Sequence, residues 1–194
     1  IEVRAKNCYA FEEGITFSMK ADMRNKKFGT NVHTEEYFNV LKTAGIYGPN
    51  NAGKTCLIKC IRAIKMVLSN QKSGLMSNIF TDSEVCTLGV TFLESGRKFS
   101  YDFQYDTGKE EYIYEEFSEI FKDQYGNEKK ECWLRKDCGQ EIYECIDESV
   151  QAMIPIVSKN NLLCYLIDTS KFEHVDEMKK ILTGFAEKID IINM

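Results

Sequence analysis

Proline is nearly absent: only Pro49 and Pro155 occur in 194 residues. No Gly/Ser/Pro-rich stretch separates two halves either, so one domain or one large lobe is expected. No apolar run approaches the ~18 residues that span a bilayer, which excludes a helical span and a membrane partner. The opening lacks a basic-then-apolar leader, which argues for a cytoplasmic rather than a secreted protein. The eight cysteines (Cys8, Cys56, Cys60, Cys86, Cys132, Cys138, Cys145, Cys164) are then expected as reduced thiols. They contain no CxxC pair, and the spacing of Cys132, Cys138 and Cys145 fits no common zinc template. Small buried thiols are expected, not a cysteine metal site. An excess of positive charge is missing too. The formal net charge is −5, so the chain as a whole lacks the footprint of a nucleic-acid-binding module. His33 lies in a polar stretch and His174 beside Glu173 and Asp176, and both read as solvated, as do Lys26-Lys27 and Lys129-Lys130.

What is present is the balance of a folded globular chain, with 43% hydrophobic and 28% charged residues. Ile1–Cys8 and Ile15–Met19 alternate apolar and polar residues around the turn Tyr9–Gly14, which predicts an antiparallel pair. Residues 20–40 are polar and mixed and read as a loop. Thr43–Tyr47 is a short apolar run that predicts a strand leading into Gly48. From Lys54 the period becomes helical, with Leu57, Ile58, Ile61, Ile64 and Leu68 on one stripe, predicting a helix to about Asn70. Val85–Leu93, Lys98–Tyr105 and Glu111–Phe121 alternate and are rich in Val, Phe, Tyr and Thr, with breaks at Gly96 and Asp106–Gly108. Cys132–Arg135 and Ile142–Cys145 read as two further short strands. Residues from about 160 to 189 carry helical spacing through Leu162, Leu163, Leu166, Met178, Ile181, Leu182 and Phe185.

One stretch carries chemistry. Gly48-Pro49-Asn50-Asn51-Ala52-Gly53-Lys54-Thr55 meets every fixed position of Gly-x-x-x-x-Gly-Lys-Ser/Thr. In such a loop successive backbone N–H groups turn inward as an anion nest, and the following helix adds unpaired N–H groups and a positive dipole end. Gly48 frees the exit from the strand, and Gly53 lets backbone approach phosphate without a Cβ. Lys54 supplies an ammonium for the β- and γ-phosphates, and the Thr55 hydroxyl ligates Mg²⁺. The expected binding residues are therefore Gly48 to Thr55 with the adjoining Cys56, and the expected ligand is ATP with Mg²⁺. A Ras-like GTPase is not expected, since no Asn-Lys-x-Asp occurs and Asp123–Gly126 matches DxxG only in a polar turn. A nucleoside kinase would alternate strands and helices after the loop. Here antiparallel hairpins follow instead.

Several residues carry a resemblance. Lys6-Asn-Cys-Tyr-Ala-Phe11 is similar to the "K-N-F-R-S-F" opening of the RecF, SMC and OLD group of ABC-type ATPases, with Tyr9 where that group has Arg. The loop resembles their "G-x-N-x-x-G-K-S/T", with Asn50 at the shared Asn. Leu41-Lys-Thr-Ala-Gly-Ile-Tyr-Gly48 resembles the "L-K-x-A-x-I-Y-G" of AAA-type ATPases associated with abortive phage infection. The resemblance implies an α/β fold with α+β character, the N-terminal lobe of an ABC-type P-loop NTPase with antiparallel hairpins around a strand–loop–helix core. It divides residues 1–194 into a P-loop core at 43–70, a β lobe at about 84–145 and a helical tail at about 160–189.

No signature motif, Asp-Glu Walker B pair or switch histidine is found. The resemblance therefore implies an N-terminal portion of a protein roughly twice as long, since single cores stop growing near ~250–300 residues. It further implies a head-to-head homodimer that hydrolyses ATP and acts with a nucleic acid or a nuclease. Two other readings stay open. The chain is a nucleotide-responsive interaction module, or a complete small P-loop enzyme in which Leu162–Asp168 is the Walker B strand and Asp168 holds the metal. Against the latter, no Glu follows Asp168 and Asn160-Asn161 reads as a helix cap.

Overall fold

A computed structural model describes residues 1–24, 26–35, 38–152, 154–157 and 173–190. Its centre is a seven-stranded sheet of β1 (Glu2–Lys6), β2 (Ile15–Ser18), β5 (Val85–Glu94), β6 (Arg97–Asp106), β7 (Glu111–Lys122), β8 (Glu128–Asp137) and β9 (Ile142–Cys145). The spatial order is β2-β1-β5-β6-β7-β8-β9, and every pairing is antiparallel. From β5 to β9 the chain is a meander of hairpins. Ser95 and Gly96 close the first of these with positive φ at both positions, the geometry that matches strand twist in a two-residue turn.

Alternation sorts the side chains onto two faces. Val3 and Ala5 of β1, Leu88, Val90 and Phe92 of β5, and Phe99, Tyr101 and Phe103 of β6 are buried on one face. On it lie α1 (Lys54–Leu68) and, as we number it, α3 (Glu173–Lys188). α1 contributes Leu57, Cys60, Ala63, Ile64, Val67 and Leu68, and α3 contributes Val175, Met178, Ile181, Leu182, Phe185 and Ala186. Phe185 stacks on Phe92 with ring centroids 4.0 Å apart. Two ion pairs tie α3 to the β5–β6 hairpin, Lys188 to Glu94 at 2.7 Å and Arg97 to Glu177. The short helix α2 (Glu148–Gln151) follows β9.

The opposite face is charged. Arg4 donates to Asp102 at 2.7 Å and to Thr91 at 2.8 Å, and pairs with Glu2 at 3.0 Å. Gly89 lies under this pair: a Cβ there would sit 2.0 Å from Asp102 Oδ1, so only glycine leaves room for it. Glu116 continues the ladder, pairing with Lys130 and with Arg135 and accepting from Tyr114 at 2.8 Å.

The α/β expectation does not hold. The protein is β-rich, an antiparallel sheet with two long helices on one face, and not a strand–loop–helix α/β core. Thr43–Tyr47 forms no strand. A short parallel core strand is stable only between hydrogen-bonded neighbours on a covered sheet. Both edges of β1 are already occupied by β2 and β5, and Gly45 interrupts the apolar run. Ile46 and Tyr47 are exposed instead, Tyr47 at 93%. Residues 20–40 are also more ordered than a loop. A 3₁₀ turn (Lys26–Asn31) leads into the hairpin of β3 (Val32–Glu35) and β4 (Phe38–Leu41). The tail expected to be helical is so over α3, while its first part, with Leu162–Asp168, lies outside the described residues. Among the described residues, no helix is long and apolar enough to cross a membrane.

Two ion pairs make testable demands. Glu115 and Lys136 are fully buried and 3.6 Å apart on the apolar face, and Tyr101 donates to Glu115 at 2.8 Å. Removing one partner leaves a buried charge alone, so Glu115→Leu should cost about 3–5 kcal/mol in urea unfolding. Glu115→Leu with Lys136→Met should recover most of that loss. On the other face, burial pushes the Glu116 carboxyl up, but hydrogen bonds from Lys130 and Tyr114 and the charges of Lys130 and Arg135 outweigh it. The group is held below its usual range. A depressed folded pKa gives stability that is present above the unfolded value and lost as pH falls through the folded one. Lys130 and Arg135 are more than a third exposed, so screening limits the gain to about 0.5–1 kcal/mol. Glu116→Gln should therefore lower Tm by roughly 1–4 °C at pH 7. The deficit should shrink as pH falls below the unfolded value of ~4.3, as melting curves at a series of pH values would show.

Candidate functional site

The Gly48–Thr55 loop enters α1 directly. Asn51 and Gly53 take positive φ, at 66° and 84°, which turns the chain from the exposed run 42–50 into the helix. Gly53 is the residue before the first helical turn, and its conformation is the left-handed one that glycine tolerates. Phe11 stands close behind it, so a side chain here would need the ring to give by a few tenths of an ångström. A Cβ on Gly53 would meet the Phe11 ring at 3.0 Å.

The helix start is bare of side-chain partners. No side chain caps it and no acidic residue stands in its first turn. Its first N–H groups therefore have no partner within the helix, and the positive dipole end is uncompensated. Lys54 bends back over the loop and donates to the Gly48 carbonyl at 2.7 Å and the Pro49 carbonyl at 2.5 Å. The loop is closed by Ala52 N–H donating to Pro49 at 3.3 Å. Thr55 is exposed on the first turn with Cys56 half-buried beside it, while Asn50, Asn51 and Ala52 form the exposed tip. The structure thus brings Gly48, Pro49, Gly53 and Lys54 together, with Thr55 on the same turn.

Sequence reasoning missed the wall behind the loop. Beyond β1, Tyr9 also takes a positive φ, its N–H donates to Met76 at 3.0 Å, and Lys59 of α1 lies 5.5 Å from its ring centroid. Tyr9 and Phe11 thus pack the β1–β2 turn against the start of α1. Alternation and helical spacing contain no signal for such a contact.

The buried cysteines Cys8, Cys60 and Cys86 cluster nearby. Burial pushes the Cys60 thiol up to about 12, so it stays protonated. Cys8 is raised by its hydrogen bond with Cys86 and by burial. Inert thiols of this kind pack rather than react. Among the described residues, no group of three or more His, Cys, Asp or Glu side chains is placed to hold a metal ion. Asp168 lies outside the described residues. No protein-family model matches the chain, and no curated protein matches it.

Gly53 offers a direct check of this geometry. Gly53→Ala meets both a left-handed backbone and the Phe11 ring, so it should destabilise by about 1–3 kcal/mol. Adding Phe11→Ala should remove the steric part alone. A thermal shift of the double mutant no smaller than the sum of the singles would show that the two residues do not touch.

Proposed function

We propose that Gly48–Thr55 binds the phosphates of ATP together with Mg²⁺. The observation that carries this reading is a Gly-x-x-x-x-Gly-Lys-Thr loop running into a helix start with no side-chain cap and no acid in its first turn. An anion there meets unpaired N–H groups, the dipole end and the Lys54 ammonium at once. Lys54 holds two loop carbonyls at this site, and phosphate oxygens are stronger partners for an ammonium than neutral carbonyls are. The Thr55 hydroxyl is the metal ligand in this proposal, and the bound ion would neutralise charge between the β- and γ-phosphates.

The resemblance to RecF/SMC/OLD-like ATPases supports the same site. ATP hydrolysis, head-to-head pairing and a nucleic-acid or nuclease partner we propose only for a longer protein containing this chain. The second reading is a nucleotide-responsive interaction module. The exposed flank of the loop, with Tyr47 uncovered before Gly48, favours it, because a partner could cover that flank once nucleotide is bound.

Isothermal titration with MgATP tests the site. Lys54→Ala should weaken binding by roughly 10- to 150-fold, the range of a charge-assisted contact at ~1.5–3 kcal/mol. GTP should bind within about tenfold of ATP, because no guanine-reading motif is present. Unchanged ATP affinity in Lys54→Ala would remove the assignment.

A further inference from the structure

Apolar side chains left in water are informative when they cluster on a fixed backbone, not when they occur singly. One such cluster lies in the connection from α1 to β5, where Met76, Ile79 and Phe80 are 60%, 80% and 82% exposed. The backbone beneath them is fastened by side chains. Asn78 is buried, and its side-chain oxygen accepts from the Phe80 N–H at 2.8 Å. The Thr81 hydroxyl donates to the Asn7 side-chain oxygen at 2.6 Å. The Asn7 amide in turn donates to the Ser83 and Val85 carbonyls at 2.6 and 3.0 Å. A polar scaffold thus holds Ile79 and Phe80 outward, so little ordering remains to be done when a partner covers them. Asp82 and Glu84, both exposed, follow directly. The tip is apolar with an acidic flank.

A second surface has the opposite charge. α1 carries four cations and no acid, in a chain whose net charge is −5. Its buried stripe faces the sheet, which leaves Ile58, Lys59, Arg62 and Met66 as neighbours on the outward stripe. Ile58 is 47% exposed and Arg62 is exposed beside it. This face is apolar with cationic edges.

Tyr9 joins the two surfaces. The Lys59 ammonium lies 5.5 Å from its ring centroid. Its N–H donates to the Met76 carbonyl at 3.0 Å, and its hydroxyl donates to the Gly74 carbonyl at 3.2 Å. Tip and helix face therefore adjoin, each apolar and of opposite charge. Such a pair is complementary to itself under a two-fold rotation, in which each surface meets the other surface of the second copy.

We infer that the tip Met76–Glu84 docks on the outward face of α1 in a second copy of this chain. Ile79 and Phe80 pack against Ile58 and Met66, and Asp82 pairs with Arg62. Neither Asp82 nor Arg62 has an ion-pair partner among the described residues. Stable interfaces draw about 20–30 residues from each side, and this one draws fewer, so the dimer forms in a concentration-dependent way. The contact needs no nucleotide and stands apart from the reading of Gly48–Thr55.

The test is sedimentation velocity of the whole chain without nucleotide, over about 1–300 µM, the range of weak specific contacts. The wild-type chain should pass from monomer to dimer as concentration rises. Phe80→Ser should stay monomeric. Arg62→Glu and Asp82→Lys each set like charges against one another, so each alone should weaken pairing by roughly tenfold or more. An equimolar mixture of these two variants should pair nearly as well as the wild type. In that mixed dimer the new carboxylate meets the new ammonium, and the unaltered Asp82 of one chain meets the unaltered Arg62 of the other. All three substituted residues are exposed, and unchanged melting temperatures would confirm that the variants fold. The inference is overturned if the wild-type chain stays monomeric throughout, which would assign the tip to a different partner. It is equally overturned if Phe80→Ser pairs as the wild type does, or if the mixture associates no better than either variant alone.

Discussion

Strand β6 divides the protein, and the rest follows from that division. Phe99, Tyr101 and Phe103 point to one side, where Phe99 and Phe117 stack at 5.6 Å and Trp133 meets both rings edge-on. Lys98, Ser100 and Asp102, interleaved with them, point to the other side, among ion pairs. Because the period of a strand is two, a slip of one residue would bury the charges and expose the rings. Both helices can pack only on the apolar side. The hairpin of β3 and β4 covers part of the charged side, and the interval between them is polar because the sheet's own chemistry makes it so.

This division was legible in the sequence. Alternation in Val85–Leu93, Lys98–Tyr105 and Glu111–Phe121 marks strands that the structure extends by only a residue or so, and the helical stripe from Leu57 to Leu68 marks α1. Pairing order was less legible. That β1 sits beside β5 depends on Val3 facing Val90, a contact between distant parts of the chain that no local pattern encodes. The β3–β4 hairpin is hidden in the sequence because residues 20–40 are polar and mixed, with Lys26, Lys27 and Gly29 in the middle. Its strands are stabilised by backbone bonds to Met19 and Ala21, and these leave no trace in composition. Thr43–Tyr47 fails in the other direction. An apolar run is a necessary signal for a core strand, but the ladder partner it requires is not written in the run itself.

The Gly48–Thr55 loop separates two kinds of information. Its residue types report what backbone conformations are affordable, and the positive φ at Asn51 and Gly53 agrees with them. The sheet that would flank such a loop in an α/β core is a tertiary matter, and here the flank is exposed. Phe11 does part of the bracing instead, from the turn after β1. The loop is therefore shaped from behind by an aromatic ring and from in front by the Lys54 ammonium.

The topology also fixes an order of assembly. From β5 to β9 each strand pairs with its neighbour in sequence, so the meander closes through short loops at small entropic cost. β1 must instead wait for β5, and the intervening span holds the β3–β4 hairpin and all of α1. During synthesis the β1–β2 hairpin is made before its place in the sheet exists, since Val85–Glu94 comes later in the chain. Phe11, which follows β1, is carried by that hairpin to the start of α1. The backing of the Gly48–Thr55 loop thus belongs to a hairpin that is seated by a long-range pairing, and the loop's geometry is tied to the closure of β1 on β5.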